Sequence, residues 1–237
     1  MDTRSGIHVP GRNRLLELLP QSDRDRVLAK MERIEGKLGA VVFERDQPLD
    51  YVDFPLCAVI SVVIIMEDGA IAEAGTIGNE GMAGIPLLLN VQRSPAQAFY
   101  QVPGEAMRMS AAAFKEEIAR GGPFRDMLQR YAQGFVNQLA QAAACNRLHP
   151  VDQRLCKWIL MSHDRVGSDR LLLTQEILAQ MLGVRRASVT IAAGMLQRAG
   201  FIRSHRGVIT VLDRAGLEES ACECYRVVRS ELERLLS

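Results

Sequence analysis

Leu171 to Leu212 reads LLLTQEILAQMLGVRRASVTIAAGMLQRAGFIRSHRGVITVL, and the organisation of the whole chain follows from how this stretch folds. Thr174 carries a hydroxyl suited to capping a helix over Gln175 to Leu182, where Ile177, Leu178, Met181 and Leu182 share one apolar face. Gly183 stands where a tight interhelical turn needs a residue tolerant of positive φ, and Val184 is the apolar residue that buries that turn. A second helix is predicted from about Arg185 or Arg186 to Ala199. Val189, Ala192, Ala193 and Leu196 face inward, which leaves Arg185, Arg186, Ser188, Thr190, Ile191 and Gln197 outside. Gly200 ends it, and Phe201 to Ser204, His205-Arg206-Gly207 and Val208 to Leu212 read as a β-hairpin. Helix, turn, helix and hairpin in this order make a winged helix-turn-helix. In that motif the second helix enters the major groove of DNA and its neighbours hold phosphates.

The residue types suit that task. Arginine pairs with guanine O6 and N7, and short hydroxyl side chains bond to bases or phosphates. The DNA-contacting candidates are Thr174, Gln175, Arg185, Arg186, Ser188, Thr190 and Gln197, with His205 and Arg206 at the wing tip. Charge supports them. The chain has a net charge of only +1, but residues 170–210 hold six arginines against the single acid Glu176. A basic patch on a slightly acidic body is the footprint of a phosphate-contacting module.

Upstream, residues 12–35 read as helical with a break at Pro20 and Ser22 as N-cap. From Gly36 to Met109 short β-rich runs (VVFE, VISVVIIM, IAEAGTI, QAFYQV, AMRM) alternate with turn signals, which suggests a sandwich or barrel. Ala112 to Arg120 reads as a short helix, and Gly121-Gly122-Pro123 interrupts it. A long helix, Phe124 to Leu148, ends before His149-Pro150. Along it Phe124, Leu128, Tyr131, Phe135, Leu139 and Ala142 recur at intervals of three or four. That stripe either packs on the chain's own barrel or, the reading preferred here, forms a dimer interface, since two-fold DNA sites call for paired subunits. The expected fold class is α+β, with an N-terminal barrel domain (12–120), a dimerisation helix (121–149) and a C-terminal winged helix-turn-helix domain (150–237). Val151 to Val166 begins that last domain as a helix, with Trp158 in a small core.

Composition excludes other classes. With 237 residues, 48% hydrophobic and 24% charged, the chain is globular in type and long enough for two cores. No apolar run approaches the ~20 residues that span a bilayer, and the N-terminus lacks the apolar centre of a secretion signal, so a cytoplasmic location without membrane contact is expected. Cys57, Cys145, Cys156, Cys222 and Cys224 are scattered and odd in number, as for reduced thiols. Cys222 and Cys224 lie two apart, and on a helix such a pair points in different directions, so no metal site is expected. No histidine falls within Gly36 to Met109, and neither G-x-S-x-G nor a P-loop occurs, which argues against an enzyme with any catalytic residues. A protein-interaction module that had lost DNA binding is the other rival; its DNA affinity would stay weak and sequence-independent even at low salt.

A β-barrel, a long helix and a winged helix-turn-helix, in that order, resemble the bacterial cyclic-AMP receptor protein and Fnr (Crp/Fnr) superfamily of transcription regulators. The resemblance runs from about Asn13 to Leu212. It rests on Tyr51-Val52-Asp53-Phe54-Pro55, Ile60-Ser61-Val62-Val63, Gly78-Asn79-Glu80-Gly81-Met82-Ala83-Gly84, Gln101-Val102-Pro103-Gly104, and Leu173-Thr174-Gln175-Glu176 through Gly183 and Arg186. It implies a homodimer on a two-fold symmetric operator, signals in the barrel that change the pose of the DNA-binding domains, and RNA polymerase as a further partner. The family's cyclic-nucleotide cassette places a Gly-Glu pair about ten residues before an Arg-Ser or Arg-Thr pair, glutamate meeting the ribose and arginine the phosphate. The equivalents here are Gly78, Glu80, Gly81, Arg93 and Ser94. Asn79 separates Gly78 from Glu80, the loop to Arg93 is longer, and Pro95 replaces alanine, so the cassette reads as degraded. No cofactor is evident and the effector is left open; a nucleotide-responsive chain would use Glu80 and Arg93. Early cysteines for an iron–sulfur cluster are missing, the first being Cys57, which reads as a small buried hydrophobe. On the recognition helix the chain keeps Arg186 but has Ala187 and Ile191 where the family's best-known readers have glutamate and a second arginine, which implies a different operator.

Overall fold

The computed structural model describes residues 11–236. Two short helices, α1 (Arg14–Glu17) and α2 (Gln21–Leu28), open the chain on either side of Pro20. Asn13 caps α1 by accepting the N–H groups of Leu15 and Leu16, while its amide donates to the carbonyls of Pro55 and Gly81. One side chain thus starts the helix and ties it to the barrel. Two sequence expectations fail here. Pro20, not Ser22, occupies the N-cap of α2. The helix also stops at Leu28, and Met31–Gly36 forms strand β1. MERIEG pairs antiparallel with residues 104–109, and that ladder satisfies its backbone.

The strands β2 (Val41–Phe43), β3 (Tyr51–Pro55), β4 (Val59–Ile65) and β5 (Ile71–Ile77) follow. Then come α3 (Ile85–Leu88), β6 (Gln97–Val102) and β7 (Gly104–Ser110). They form two antiparallel sheets, ordered β1-β7-β3 and β2-β6-β4-β5. Val52, Phe54, Ile60, Ala98, Tyr100 and Met109 from both sheets share one core with Met82. Inside it Asp53, fully buried, accepts two bonds at 2.7 Å from Arg108 and one at 2.6 Å from the Tyr100 hydroxyl. A carboxylate can be buried there because each of its oxygens is matched by a donor.

Ser110 caps α4 (Ala111–Arg120), and Gly121-Gly122 breaks the chain before α5 (Pro123–Leu148). At 26 residues α5 is about 39 Å long. The C-terminal half contains α6 (Val151–Val166), β8 (Arg170–Leu172), α7 (Gln175–Leu182), α8 (Arg186–Arg198), β9 (Ile202–His205), β10 (Val208–Val211), α9 (Arg214–Ser220) and α10 (Cys224–Leu235). Its core gathers Leu155, Ile159, Leu178, Val189, Leu196 and Ile209. The two halves are docked. Val63 of β4 belongs to the C-terminal core, the Trp158 indole N–H donates to Glu73 at 2.9 Å, and α10 folds back along α5. Among the described residues no helix is long and apolar enough to cross a membrane.

Candidate nucleic-acid interface

The helix-turn-helix forms as its sequence requires. The Thr174 hydroxyl accepts the Ile177 N–H at 3.2 Å and caps α7. Gly183 ends α7 at φ +61°, and Val184 N–H closes the turn onto the Ala179 carbonyl. Leu178, Met181 and Leu182 of α7 pack with Val189, Ala192, Ala193 and Leu196 of α8 in the same core. Arg185 precedes α8 in an extended conformation. It is exposed, as are Arg186, Thr190 and Ile191, and Ser188 is half-buried. The wing is a three-stranded sheet, β8-β10-β9, of which β8 has no counterpart in the sequence reading. Arg206 and Gly207 both take positive φ, the two-residue turn that a twisted hairpin favours, and His205 and Arg206 stand exposed at its tip.

Some candidates are already engaged. Thr190 donates to the Gln175 side chain at 2.8 Å and to the Arg186 carbonyl at 3.1 Å, which links the start of α7 to α8. The Gln197 carbonyl oxygen accepts the Ser204 N–H at 2.8 Å, so this side chain braces the wing. Among the described residues Arg185, Arg186, Ser188, His205 and Arg206 find no such side-chain partner. The first turn of α8 and the wing tip are therefore open basic surface, as are the exposed Arg198 and Arg203 beside them.

A family model described as a Crp-like helix-turn-helix domain matches residues 153–220. The transcriptional regulator SdrP of Thermus thermophilus is 34% identical over 103 residues, 41% of this chain. That match spans 50% of the curated relative. Among solved structures, a transcriptional regulator of the crp/fnr family from Eubacterium rectale is 15% identical at a TM-score of 0.67, covering 87% of this chain and 96% of that one. FixK2 from Bradyrhizobium japonicum is 12% identical at a TM-score of 0.69, covering 81% and 98%. Residues 153–220 thus match a Crp-like helix-turn-helix domain, and the chain as a whole shares the fold of these crp/fnr-type structures.

Residues offered by the resemblance as an effector cassette are engaged from within the chain. Arg165, near the end of α6, reaches into the barrel. It donates to Glu80 from Nε at 2.9 Å and from Nη2 at 2.7 Å, to the Thr76 hydroxyl at 2.6 Å, and to the Thr76 carbonyl at 3.3 Å. Its side chain is 7% exposed and that of Glu80 12%. Gly78 is required at this crossing, because a Cβ there would lie 2.4 Å from the Arg165 stem. Gly81 likewise gives room to the Tyr131 ring of α5. Arg93 instead donates to the Asp46 carbonyl at 3.2 Å on the barrel surface, and the Ser94 hydroxyl accepts the Ala96 N–H. The cleft bordered by Glu80 has Arg165, Tyr225 and Arg229 on its walls, and Arg93 does not line it. Glu80 and Arg93, paired in the sequence reading as a nucleotide site, are thus not brought together.

Two other expectations need correction. The α5 stripe assigned to a dimer faces the chain's own barrel. Phe124, Leu128 and Tyr131 are buried in the N-terminal core, and Phe135 and Leu139 close on Gly75 of β5. Ala142 borders a cavity with Glu73 and Trp158. The stripe was real, but its partner is the barrel. The cysteines also converge after all. Cys145, Cys222 and Cys224 are buried, and with His149 their donor atoms all lie within 4.8 Å of one another. Helix geometry misleads for Cys222 and Cys224, because Cys222 lies in the loop before α10 and only Cys224 is helical.

Proposed function

We propose that the protein is a homodimeric, sequence-specific transcription regulator that lays α8 in the major groove of a two-fold symmetric operator. The exposed basic first turn of α8, flanked by a basic wing tip, carries this reading. Arg186 reads a base edge, Arg185 and Arg206 hold phosphates, and Ser188 bonds at either. The paired subunits meet along the outward face of α5, where Gln129, Gln133, Val136, Ala140, Ala143 and Arg147 are exposed. Their intervals of four and three are those of a two-helix seam with small residues at its centre. The regulator works in the cytoplasm, contacts RNA polymerase from the operator, and needs no cyclic nucleotide. The last point is supported by the Glu80 carboxylate being held by Arg165.

Selection of operators from a random duplex library tests this, with and without cyclic AMP and cyclic GMP. One palindrome, unchanged by either nucleotide, is the expected result. Arg186→Ala should then weaken the selected site by about 1–3 kcal/mol and relax one position per half-site. An equal loss on unrelated DNA would make Arg186 a phosphate contact. Weak, sequence-independent binding at low salt would favour a protein-interaction module, and selection only with a nucleotide would restore the cassette.

A further inference from the structure

Cys145 lies in the last turn of α5 and His149 ends that helix, one turn on, with its N–H still bonded to the Cys145 carbonyl. Cys222 comes from the segment that joins α9 to α10, and Cys224 is the first residue of α10. The Sγ atoms of Cys145 and Cys222 are 3.6 Å apart, and Cys224 Sγ is 3.5 Å from His149 Nδ1. A single tetrahedral ion with metal–sulfur bonds of about 2.3 Å and metal–nitrogen bonds of about 2.0–2.1 Å holds its donors about 3.8 Å apart for two sulfurs and about 3.5 Å for sulfur and nitrogen. The side chains are therefore spaced for one ion. An iron–sulfur cluster distributes its thiolates over several irons and needs them spread wider.

The surroundings match that use. With Nδ1 turned to the cluster, His149 Nε2 lies 3.2 Å from the Glu223 carboxylate, the outer partner that fixes the ring of a metal-bound histidine. The Gln141 amide donates to Cys224 Sγ at 3.0 Å. Three thiolates, one imidazole and a divalent ion leave one negative charge. Buried Arg154, which donates from Nη2 to the Leu182 carbonyl, lies within electrostatic reach of Cys145 and Cys222, and among the described residues its Nε has no acceptor. The set also lies apart from the Glu80–Arg165 cassette and from the DNA-facing turn of α8.

We propose that Cys145, His149, Cys222 and Cys224 bind one zinc ion in a closed tetrahedral site that fastens the end of α5 to the α9–α10 junction. Soft thiolates with imidazole in a four-coordinate set favour zinc among divalent ions, and four protein ligands leave no open position for catalysis. The ion sits beside the His149–Pro150 joint between α5 and α6, so it fixes the angle at which the helix-turn-helix leaves the long helix.

The test uses the full chain, purified without chelator from zinc-supplemented cells and assayed for metals by mass spectrometry. One zinc per chain is expected. Cobalt exchanged into the site should give the intense visible bands of tetrahedral thiolate ligation. Cys222→Ser with Cys224→Ser should lose the zinc. His149→Cys, which keeps four soft ligands, should retain it and shift the cobalt bands, so the proposal does not depend on the double variant folding. Stripping the zinc should speed hydrogen exchange at residues 145–151 and 221–225. A chain that stays metal-free after zinc addition, a Cys145–Cys222 disulfide in fresh lysate, or stoichiometric iron and sulfide would each overturn it.

Discussion

Glu80→Ala removes the carboxylate that neutralises Arg165 and leaves the guanidinium where it was. Arg165 then loses two of its four hydrogen bonds, those to Glu80, and keeps the two to Thr76. Removing one partner of a buried ion pair costs about 3–5 kcal/mol, because the other charge stays desolvated. The two surviving bonds, and Glu73 near enough to attract Arg165, place this case at the lower end, about 3 kcal/mol. The pair joins the barrel to α6, so the chain can relieve the penalty by undocking the C-terminal half and rehydrating Arg165. At about 1.4 kcal/mol per tenfold, the undocked population should rise roughly a hundredfold. Hydrogen exchange read at residues 73–81 and 158–166 would report it. Replacing both partners by apolar residues of similar size, Glu80→Leu with Arg165→Met, should recover most of the loss, since no charge is then stranded. Unchanged protection in Glu80→Ala, or a double variant as damaged as the single one, would refute the reasoning.

Three further outcomes follow from the same structure. Burial, against the bonds from Ser61 and Trp158, pushes the Glu73 carboxyl up to about 7. The folded chain then keeps a proton that the unfolded chain releases, so the stabilisation is full below about pH 4.5 and is lost as pH rises through 7. The urea midpoint followed by Trp158 fluorescence should be higher at pH 6 than at pH 8, and Glu73→Gln should flatten the slope; an equal slope in the variant assigns it elsewhere. Val136→Asp with Ala143→Asp places like charges across the α5 seam and should give monomers in sedimentation, whereas a dimer that persists puts the interface on another face. Asp53→Ala strands Arg108 and the Tyr100 hydroxyl; a loss of about 3 kcal/mol would lower the melting temperature by about 6–12 °C in a chain of this size, read by scanning calorimetry.

The helix-turn-helix was legible because its signals are local. Thr174, Gly183 and the inward row from Val189 to Leu196 act within one or two turns of their own positions. What sequence missed was long-range. Met31 to Glu35 has no helix-breaking residue, and only pairing of this stretch with residues 104–109 makes it a strand. The periodicity of α5 marks an apolar face without naming what covers it, and the barrel covers it. Cys145 and Cys222 stand 77 residues apart, and Arg165 lies 85 residues from Glu80. For the cassette the available signal was the pair of irregularities already in the text, Asn79 between Gly78 and Glu80 and the lengthened loop to Arg93. They marked a departure from the nucleotide-binding pattern without identifying Arg165, the arginine that holds Glu80.

The return of α10 along α5 changes how the reading head can travel. A domain joined only at His149–Pro150 would swing like a flag on one cord. Here Asn137 of α5 also donates to Glu231 of α10 at 2.8 Å, and Leu232 and Leu235 close over Gly134, so the head is held near both ends of its own sequence. Two attachments on one shaft make tilting away from it costly, while the bonds of Trp158 to Glu73 and of Arg165 to Glu80 also hold the head against a turn about it. Only when those barrel bonds are released does a turn about α5 become the easy motion, and in the proposed dimer it would alter the separation of the two α8 helices against the fixed step of a DNA turn.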